Sequence, residues 1–173
     1  MSQNIGLGTE RISRLLRAFA LPCIFSLIVS CLYNIVDQIF VGNGIGYLGN
    51  AATGIIFPVT VVGWGVSLLF GDGAAAYLSV CAGKNDKEAI PGAVANSIVS
   101  ALLGGLLIAL LGYCLGDQLL YGLGATKDTI SFARDYGFII YAMMPLALAQ
   151  NAMASIIRAD GSPAYSMLCT LSG

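Results

Sequence analysis

The sequence predicts an all-α membrane protein, a polytopic bundle of transmembrane helices. Of its 173 residues, 57% are hydrophobic and 10% are charged, whereas a soluble domain carries about 25% charged residues. The mean hydropathy is +0.83. The apolar residues form four long runs and the start of a fifth, and each complete run is long enough for the about 20 residues that cross a bilayer as a helix. We therefore expect lipid to surround most of the chain.

The predicted spans follow one another through short connections, so residues 1–173 are expected to form a single transmembrane bundle. The spans are predicted at about 15–41, 51–82, 89–120, 130–157 and 163–173. The fifth is cut off at Gly173, and a spanning helix cannot stop inside lipid because its remaining backbone groups would have no partners. We therefore expect an amino-terminal fragment whose partner is the missing carboxy-terminal part of the same protein.

The basic residues predict the orientation of the bundle. With the amino terminus in the cytoplasm, Lys127 and Arg134 lie outside, and the other six basic residues lie inside, as the positive-inside rule requires. These six are Arg11, Arg14, Arg17, Lys84, Lys87 and Arg158. We expect a multi-pass protein of the plasma membrane, and specifically of a bacterial inner membrane.

Several classes of function are disfavoured by what the sequence lacks. A net charge of −1 offers no basic surface for nucleic acid, and the chain has no histidine, the commonest metal ligand and general base. The glycine-rich stretches lie inside apolar runs rather than after a strand, so they do not indicate a nucleotide-binding loop. The five scattered cysteines are expected to be packing residues. We expect no enzyme, no resident metal and no cofactor.

Asp37 is the first candidate functional residue, because an acid inside an apolar span is costly and is retained for a reason. At helical spacing, Ser26, Ser30, and either Tyr33 or Asn34 lie on the same stripe as Asp37. Such a stripe would face a bundle interior or a water-filled cavity. An apolar surrounding disfavours a charged carboxylate, so Asp37 is expected to hold a proton or to exchange it for a sodium ion. The alternative is a structural, hydrogen-bonding acid near the outer interface.

Three more polar residues lie within predicted spans. Asp72 is bracketed by Gly71 and Gly73, which leave room for water, and a functional and a structural role are equally supported. Gln150 and Asn151 lie deep in the fourth span, where their amides would either supply oxygens to a cation or bridge two helices by hydrogen bonds.

The outer end of the fourth span carries Arg134, Asp135 and Tyr136. We expect Arg134 and Asp135 to be a solvated interfacial pair. Tyr136 is either an interfacial tyrosine or a phenol that hydrogen-bonds the region of Asp37.

The order and spacing of several motifs resemble the multidrug and toxic compound extrusion (MATE) family of secondary transporters. The resemblance covers nearly the whole chain. It is carried by LYNIVDQIFVG in the first span, Pro58, Gly71 and Gly73, the loop GKNDKE at 83–88, LGA at 123–125 and IRADG at 157–161.

The resemblance implies twelve transmembrane helices in two six-helix lobes, of which this chain supplies helices one to four and the start of five. It implies export of bulky, often cationic drugs by alternating access, coupled to inward flow of protons or sodium ions. Carried over by motif, the cation-coupling residues are Asp37, Tyr136 and Asn151. Tyr33, Asn34, Ser30, Asp72 and Gln150 are further candidates for lining the cavity, although Asp72 has no counterpart in the family pattern.

The sequence leaves two other hypotheses about function open. The first is a small transporter that is complete as a homodimer, although a truncated fifth span counts against it. The second is a membrane protein that carries no drug, either a scaffold or a lipid flippase. A scaffold would tolerate the loss of Asp37, whereas a coupled exporter would not.

Overall fold

The protein is described by a computed structural model that covers residues 12–84, 86 and 88–172, apart from the side chains of 14, 15, 18, 19, 171 and 172. Arg11, Lys87 and Gly173 therefore lie outside the described residues, as does the side chain of Arg14. Five helices follow in order: α1 Ile12–Gly44, α2 Tyr47–Lys84, α3 Ala89–Gly122, α4 Ile130–Ala159 and α5 Pro163–Ser172.

The predicted fold class is confirmed. Every regular element within the described residues is a helix, and α1 to α4 are each long and apolar enough to cross a membrane. Each of the first four predicted spans lies inside one of these helices, which extend up to a few residues further at either end. The chain is thus a polytopic helix bundle.

Helices α2, α3 and α4 form the core of the bundle and approach one another at glycines. A Cβ added to Gly105 of α3 would lie 2.5 Å from the Cα of Pro145 in α4. A Cβ added to Gly71 of α2 would lie 2.8 Å from the Cα of Ala152, also in α4. Both distances are too short for any real side chain, so the small residues let the backbones meet directly, as is common between membrane helices.

Buried serines tie the same three helices together. The Ser67 hydroxyl of α2 donates to the carbonyl oxygen of Leu148 in α4 at 3.2 Å, and Ser67 is 1% exposed. The Ser97 hydroxyl of α3 donates to the carbonyl oxygen of Phe70 in α2 at 2.8 Å. These bonds satisfy polar groups that the apolar interior would otherwise leave without partners.

Helix α1 packs far less closely than the core. Near its carboxy-terminal end it meets the start of α2, where the Thr53 hydroxyl donates to Oε1 of Gln38 at 3.2 Å. Helix α1 also packs against α5, which is itself held to α4 by a hydrogen bond from the Ser166 hydroxyl to the carbonyl oxygen of Ala154 at 2.9 Å. Within the described residues the backbones of α1 and α4 are not in close contact, and two cavities lie between these helices.

Successive helices run in opposite directions, so the bundle has two ends. The amino-terminal end of α1 lies with the carboxy-terminal ends of α2 and α4, and this is called the first end. The carboxy-terminal ends of α1 and α3 lie with the start of α4, and this is called the second end. At the second end, α3 is broken at Gly116, whose φ of 40° is a conformation that favours glycine.

Candidate functional site

A cavity of about 810 Å³ lies between α1, α2 and the start of α4, and it holds Asp37. Asp37 is partly buried, and no basic residue lines the cavity within the described part of the chain. Asn34 and Tyr136 line the same cavity. We call it the Asp37 cavity. Its complete lining is Cys31, Asn34, Ile35, Asp37, Gln38, Asn50, Thr53, Gly54, Ile56, Phe57, Thr60 and Tyr136.

Oxygen atoms dominate the polar part of this lining. Besides the Asp37 carboxylate and the Tyr136 phenol, α2 contributes the Asn50 amide and the hydroxyls of Thr53 and Thr60. Hard cations such as sodium prefer oxygen ligands, and a carboxylate next to amide and hydroxyl groups can hold either a proton or such a cation. No cluster of three or more His, Cys, Asp or Glu side chains suited to a transition metal occurs among the described residues.

A second cavity of about 490 Å³ lies between α1, α4 and α5, towards the first end of the bundle. Its polar lining includes Ser26 and Ser30 of α1, Asn151 and Arg158 of α4, and Asn34, which also lines the Asp37 cavity. Because Arg158 is its charged residue, we call it the Arg158 cavity.

A third cavity of about 420 Å³ lies in a groove along one side of the α2–α4 contact and is mostly apolar. It shares Phe57 and Thr60 with the Asp37 cavity, and Trp64 and Asn151 with the Arg158 cavity. Its remaining lining residues are Val61, Ile140, Met143, Met144, Ala147 and Leu148. This apolar cavity offers aromatic and flexible thioether surface, which adapts to ligands of different shape.

Sequence comparisons identify the family of the chain. The family model described as MatE matches residues 22–173. The chain belongs to the MatE family. Among curated proteins, it is 27% identical over 150 residues to the multidrug export protein MepA of Staphylococcus aureus, covering 87% of this chain and 33% of that protein. It is 30% identical over 158 residues to MepA of Staphylococcus haemolyticus, covering 89% of this chain and 34% of that protein.

The chain therefore spans about a third of the length of the curated relatives that it matches. These relatives are named as export proteins rather than as enzymes. Comparison with solved structures gives no significant match.

The structure brings together some of the residues singled out by helical spacing and by the family resemblance, and it separates others. Asp37, Tyr136 and Asn34 line one cavity. Asn151 lines the two neighbouring cavities instead, and its amide nitrogen donates to the carbonyl oxygen of Ala147 in its own helix at 3.1 Å, so it bridges no helices through that bond. Ser30 lines the Arg158 cavity with Asn151.

The remaining sequence candidates lie away from these three cavities. Tyr33 is 73% exposed, so of the two residues that could continue the stripe towards Asp37, Asn34 is the one that lines the cavities. Asp72 and Gln150 are also exposed and line none of the three. Their functional roles stay predictions.

Sequence reasoning missed the α2 contribution to the Asp37 cavity. Asn50 and Thr53 are three residues apart near the start of α2, and Gln38 directly follows Asp37. The spacing of Asn50 and Thr53 places them on one helix face. Amide and hydroxyl groups on one face of an apolar span could therefore have predicted that α2 lines a polar cavity.

Arg134 has a different partner from the one expected. Its guanidinium forms a two-pronged ion pair with Asp117 of α3, in which Nε donates to Oδ1 at 2.9 Å and Nη2 donates to Oδ2. Asp135 was expected to be the neighbour, but adjacent residues on a helix do not face each other. The pair holds the part of α3 that follows Gly116 against α4.

Proposed function

We propose that this chain is the amino-terminal part of a cation-coupled multidrug exporter, with Asp37 as the carboxylate that binds the coupling proton or sodium ion. The single observation that carries the proposal is the position of Asp37. It is an acid without a basic neighbour, in an oxygen-lined cavity that adjoins an apolar cavity. Membership of the MatE family and relatives named as multidrug export proteins support the same function.

The chemistry of the two adjoining cavities supports a mechanism of competition. A bulky organic cation would place its apolar body against the apolar cavity, and its charge would be attracted to the ionised Asp37. A proton or sodium ion on Asp37 removes that attraction, so cation binding would weaken drug binding. By linkage, the drug would weaken cation binding by the same factor, which is typically 5–150-fold.

Alternating access would convert this competition into transport. Repeat-built transporters expose one central site to each side of the membrane in turn. If the drug leaves on the side where a cation enters, the downhill flow of the cation drives export. The loosely packed α1, which carries Asp37, is the element best placed to move against the α2–α3–α4 core.

We also infer that the amino terminus is cytoplasmic and that the protein lies in a bacterial inner membrane. This places Arg17, Lys84 and Arg158, at the first end, in the cytoplasm, with Lys127 and Arg134 outside. An amino-terminal fluorescent fusion should be quenched by an impermeant agent only in inside-out vesicles. Quenching in intact spheroplasts would show instead that the amino terminus lies outside the cytoplasm.

The proposal is tested by exchanging one carboxyl for its isosteric amide. In the whole gene product, expressed in bacteria without other exporters of ethidium, Asp37→Asn should lower ethidium export by roughly tenfold or more. Asp135→Asn is the matched control, because Asp135 is an exposed acid that lines none of the three cavities, and it should export normally.

Normal export by Asp37→Asn at normal membrane abundance would contradict coupling through this residue. If the unchanged protein itself exports no drug, the result would favour a scaffold or a lipid flippase instead.

A further inference from the structure

We propose that a groove between α3 and α4, near the second end of the bundle, binds the headgroup of a phospholipid that carries a primary ammonium beside its phosphate. The groove encloses about 330 Å³, and among the described residues only those of α3 and α4 line it. We call it the α3–α4 groove. Its charged and aromatic lining residues are Tyr113, Asp117, Arg134, Phe138 and Tyr141. The proposal goes beyond drug export and does not depend on the coupling role of Asp37, which lies in a different cavity.

The charged end of the groove presents a cation next to an anion. Arg134 and Asp117 form the two-pronged ion pair described above, and both side chains are exposed. A guanidinium has five N–H donors and a carboxylate accepts about four hydrogen bonds, so the two bonds between them leave both groups able to bind a further partner. A phosphate would accept from the free N–H groups of Arg134, and an adjacent ammonium would donate to Asp117. The pair is therefore complementary to a zwitterionic headgroup.

Aromatic side chains line the deeper part of the groove. Phe138 and Tyr141 follow Arg134 by about one and two helical turns, which places them about 6 and 10 Å further from the second end. The ring of Tyr113 meets those of Phe138 and Tyr141 edge to face, with centroids 5.1 and 5.7 Å apart. Aromatic residues are enriched where lipid headgroups give way to hydrocarbon, so the ester groups and upper acyl chains of a lipid would lie against these rings.

The Tyr141 hydroxyl independently indicates a polar ligand. Tyr141 is 4% exposed and lines the groove, and its hydroxyl has no hydrogen-bond partner within the described part of the chain. The neighbouring Tyr113 hydroxyl is already bonded, since it donates to the carbonyl oxygen of Phe138 at 2.9 Å. A buried hydroxyl without a partner is costly. The ester carbonyl of a lipid that enters the groove would supply the missing acceptor.

The position of the groove favours a lipid over a soluble ligand. Phe138 lies about 200° around α4 from Tyr136, so the groove is on the side of this helix opposite to the Asp37 cavity. The charged pair lies near the end of α3 and the start of α4, whereas the aromatic rings lie towards the middle of the spans. Charge outermost with apolar surface further in is also the order of groups along a phospholipid.

Photocrosslinking from within the groove tests the proposal. In the whole gene product, Phe138 would be replaced by p-benzoylphenylalanine, an aromatic amino acid that attaches to nearby C–H bonds when illuminated. The protein is reconstituted in liposomes with equal amounts of dioleoyl phosphatidylethanolamine and dioleoyl phosphatidylglycerol, and mass spectrometry identifies the attached lipid. The same replacement of Ile139 is the matched control, because Phe138 and Ile139 are both 62% exposed but Ile139 does not line the groove.

At position 138 the ethanolamine lipid should exceed the glycerol lipid by roughly tenfold, because the glycerol headgroup offers Asp117 no cation. At position 139 the two lipids should attach in the ratio of the bilayer. Asp117→Asn should abolish the preference at position 138, whereas Asp117→Glu, which retains the carboxylate, should keep it. Asp135→Asn should also keep it, because Asp135 is an exposed acid that does not line the groove.

A second lipid mixture tests the proposal without changing the ion pair. With equal amounts of phosphatidylethanolamine and phosphatidylcholine, the ethanolamine lipid should again predominate at position 138, because a trimethylammonium has no N–H to donate to Asp117.

Attachment in the bilayer ratio with either mixture would overturn the proposal. Attachment of position 138 to another part of the same protein would also overturn it, since the groove would then be covered by protein. A preference that survives Asp117→Asn, or that Asp135→Asn removes as fully, would reject the assigned partner of the ammonium and the proposal with it. Export by Asp37→Asn is a separate measurement, so the proposed function can fail or stand independently of these results.

Discussion

Helices α2, α3 and α4 touch through glycines and buried serines along their lengths, whereas α1 packs against α2 and α5 and is separated from α4 by cavities. The tight region carries few ionisable groups in its interior, and the loose region carries Asp37. In a membrane, close packing stabilises the association of helices, whereas an ion can bind only in a polar cavity. Within the described residues, α2, α3 and α4 are thus the closely packed part of the bundle, and α1 carries the polar site beside them.

The largest expected effect comes from truncating matched leucines in the two regions. Leu148 in α4 is 2% exposed and packs in the core, whereas Leu32 in α1 is 55% exposed. Leu148→Ala should lower the free energy of unfolding by about 2–5 kcal/mol, because it leaves a cavity that neighbours fill only in part. Leu32→Ala should change it by no more than about 0.5 kcal/mol.

The measurement for both leucine variants is reversible unfolding of the purified chain of residues 1–173, to which these exposures apply, in mixed micelles of mild and denaturing detergent. Equal losses of stability would show that α1 is packed as tightly as the core, and the comparison would fail.

A smaller effect is expected from adding one methyl group at a point of backbone contact. Gly105→Ala would press a Cβ against the backbone of Pro145 and should cost about 1–3 kcal/mol. Gly92→Ala in the same helix has open space around the added Cβ, and should be neutral or slightly stabilising because alanine favours helix. The thermal midpoints of the two purified variants give the test, and a Gly105→Ala variant as stable as Gly92→Ala would show that α3 and α4 can separate freely.

The smallest effect is expected at the ion pair between Arg134 and Asp117, because both side chains are largely exposed, at 60% and 43%. Exposed pairs contribute little to stability. Either single charge reversal, Arg134→Asp or Asp117→Arg, should lower the thermal midpoint slightly, and the double reversal should restore it. If the two single effects simply add in the double variant, the segment after Gly116 is held to α4 by something other than this pair.

The bundle could be predicted from the sequence because four apolar runs of sufficient length leave few alternatives in lipid. The contacts between the helices could not be predicted from the sequence, since an apolar run does not reveal which glycine packs against which residue of a neighbouring helix. Gly105 opposite Pro145 is a case in which only the assembled helices show the need for glycine.

The candidate site was predictable in part. The polar stripe through Ser26, Ser30 and Asp37 predicted that α1 lines a cavity. The helical period alone could not decide whether Tyr33 or Asn34 continues that stripe. The position of Asn151 could have been anticipated, since it lies fifteen residues after Tyr136 in the same helix, or about 22 Å. Two residues so far apart do not both reach Asp37, and Asn151 accordingly lines the neighbouring cavities.

The most direct test of the central claim is gradient-driven drug flux in liposomes that contain the whole gene product and no other protein. An imposed proton or sodium gradient should drive ethidium transport by the unchanged protein and by Asp135→Asn. Asp37→Asn should insert into the liposomes like the unchanged protein, but it should bind ethidium more weakly and respond to neither gradient. If Asp37→Asn moves ethidium in response to the same gradient at the same rate as the unchanged protein, Asp37 is not the coupling carboxylate and the account is contradicted.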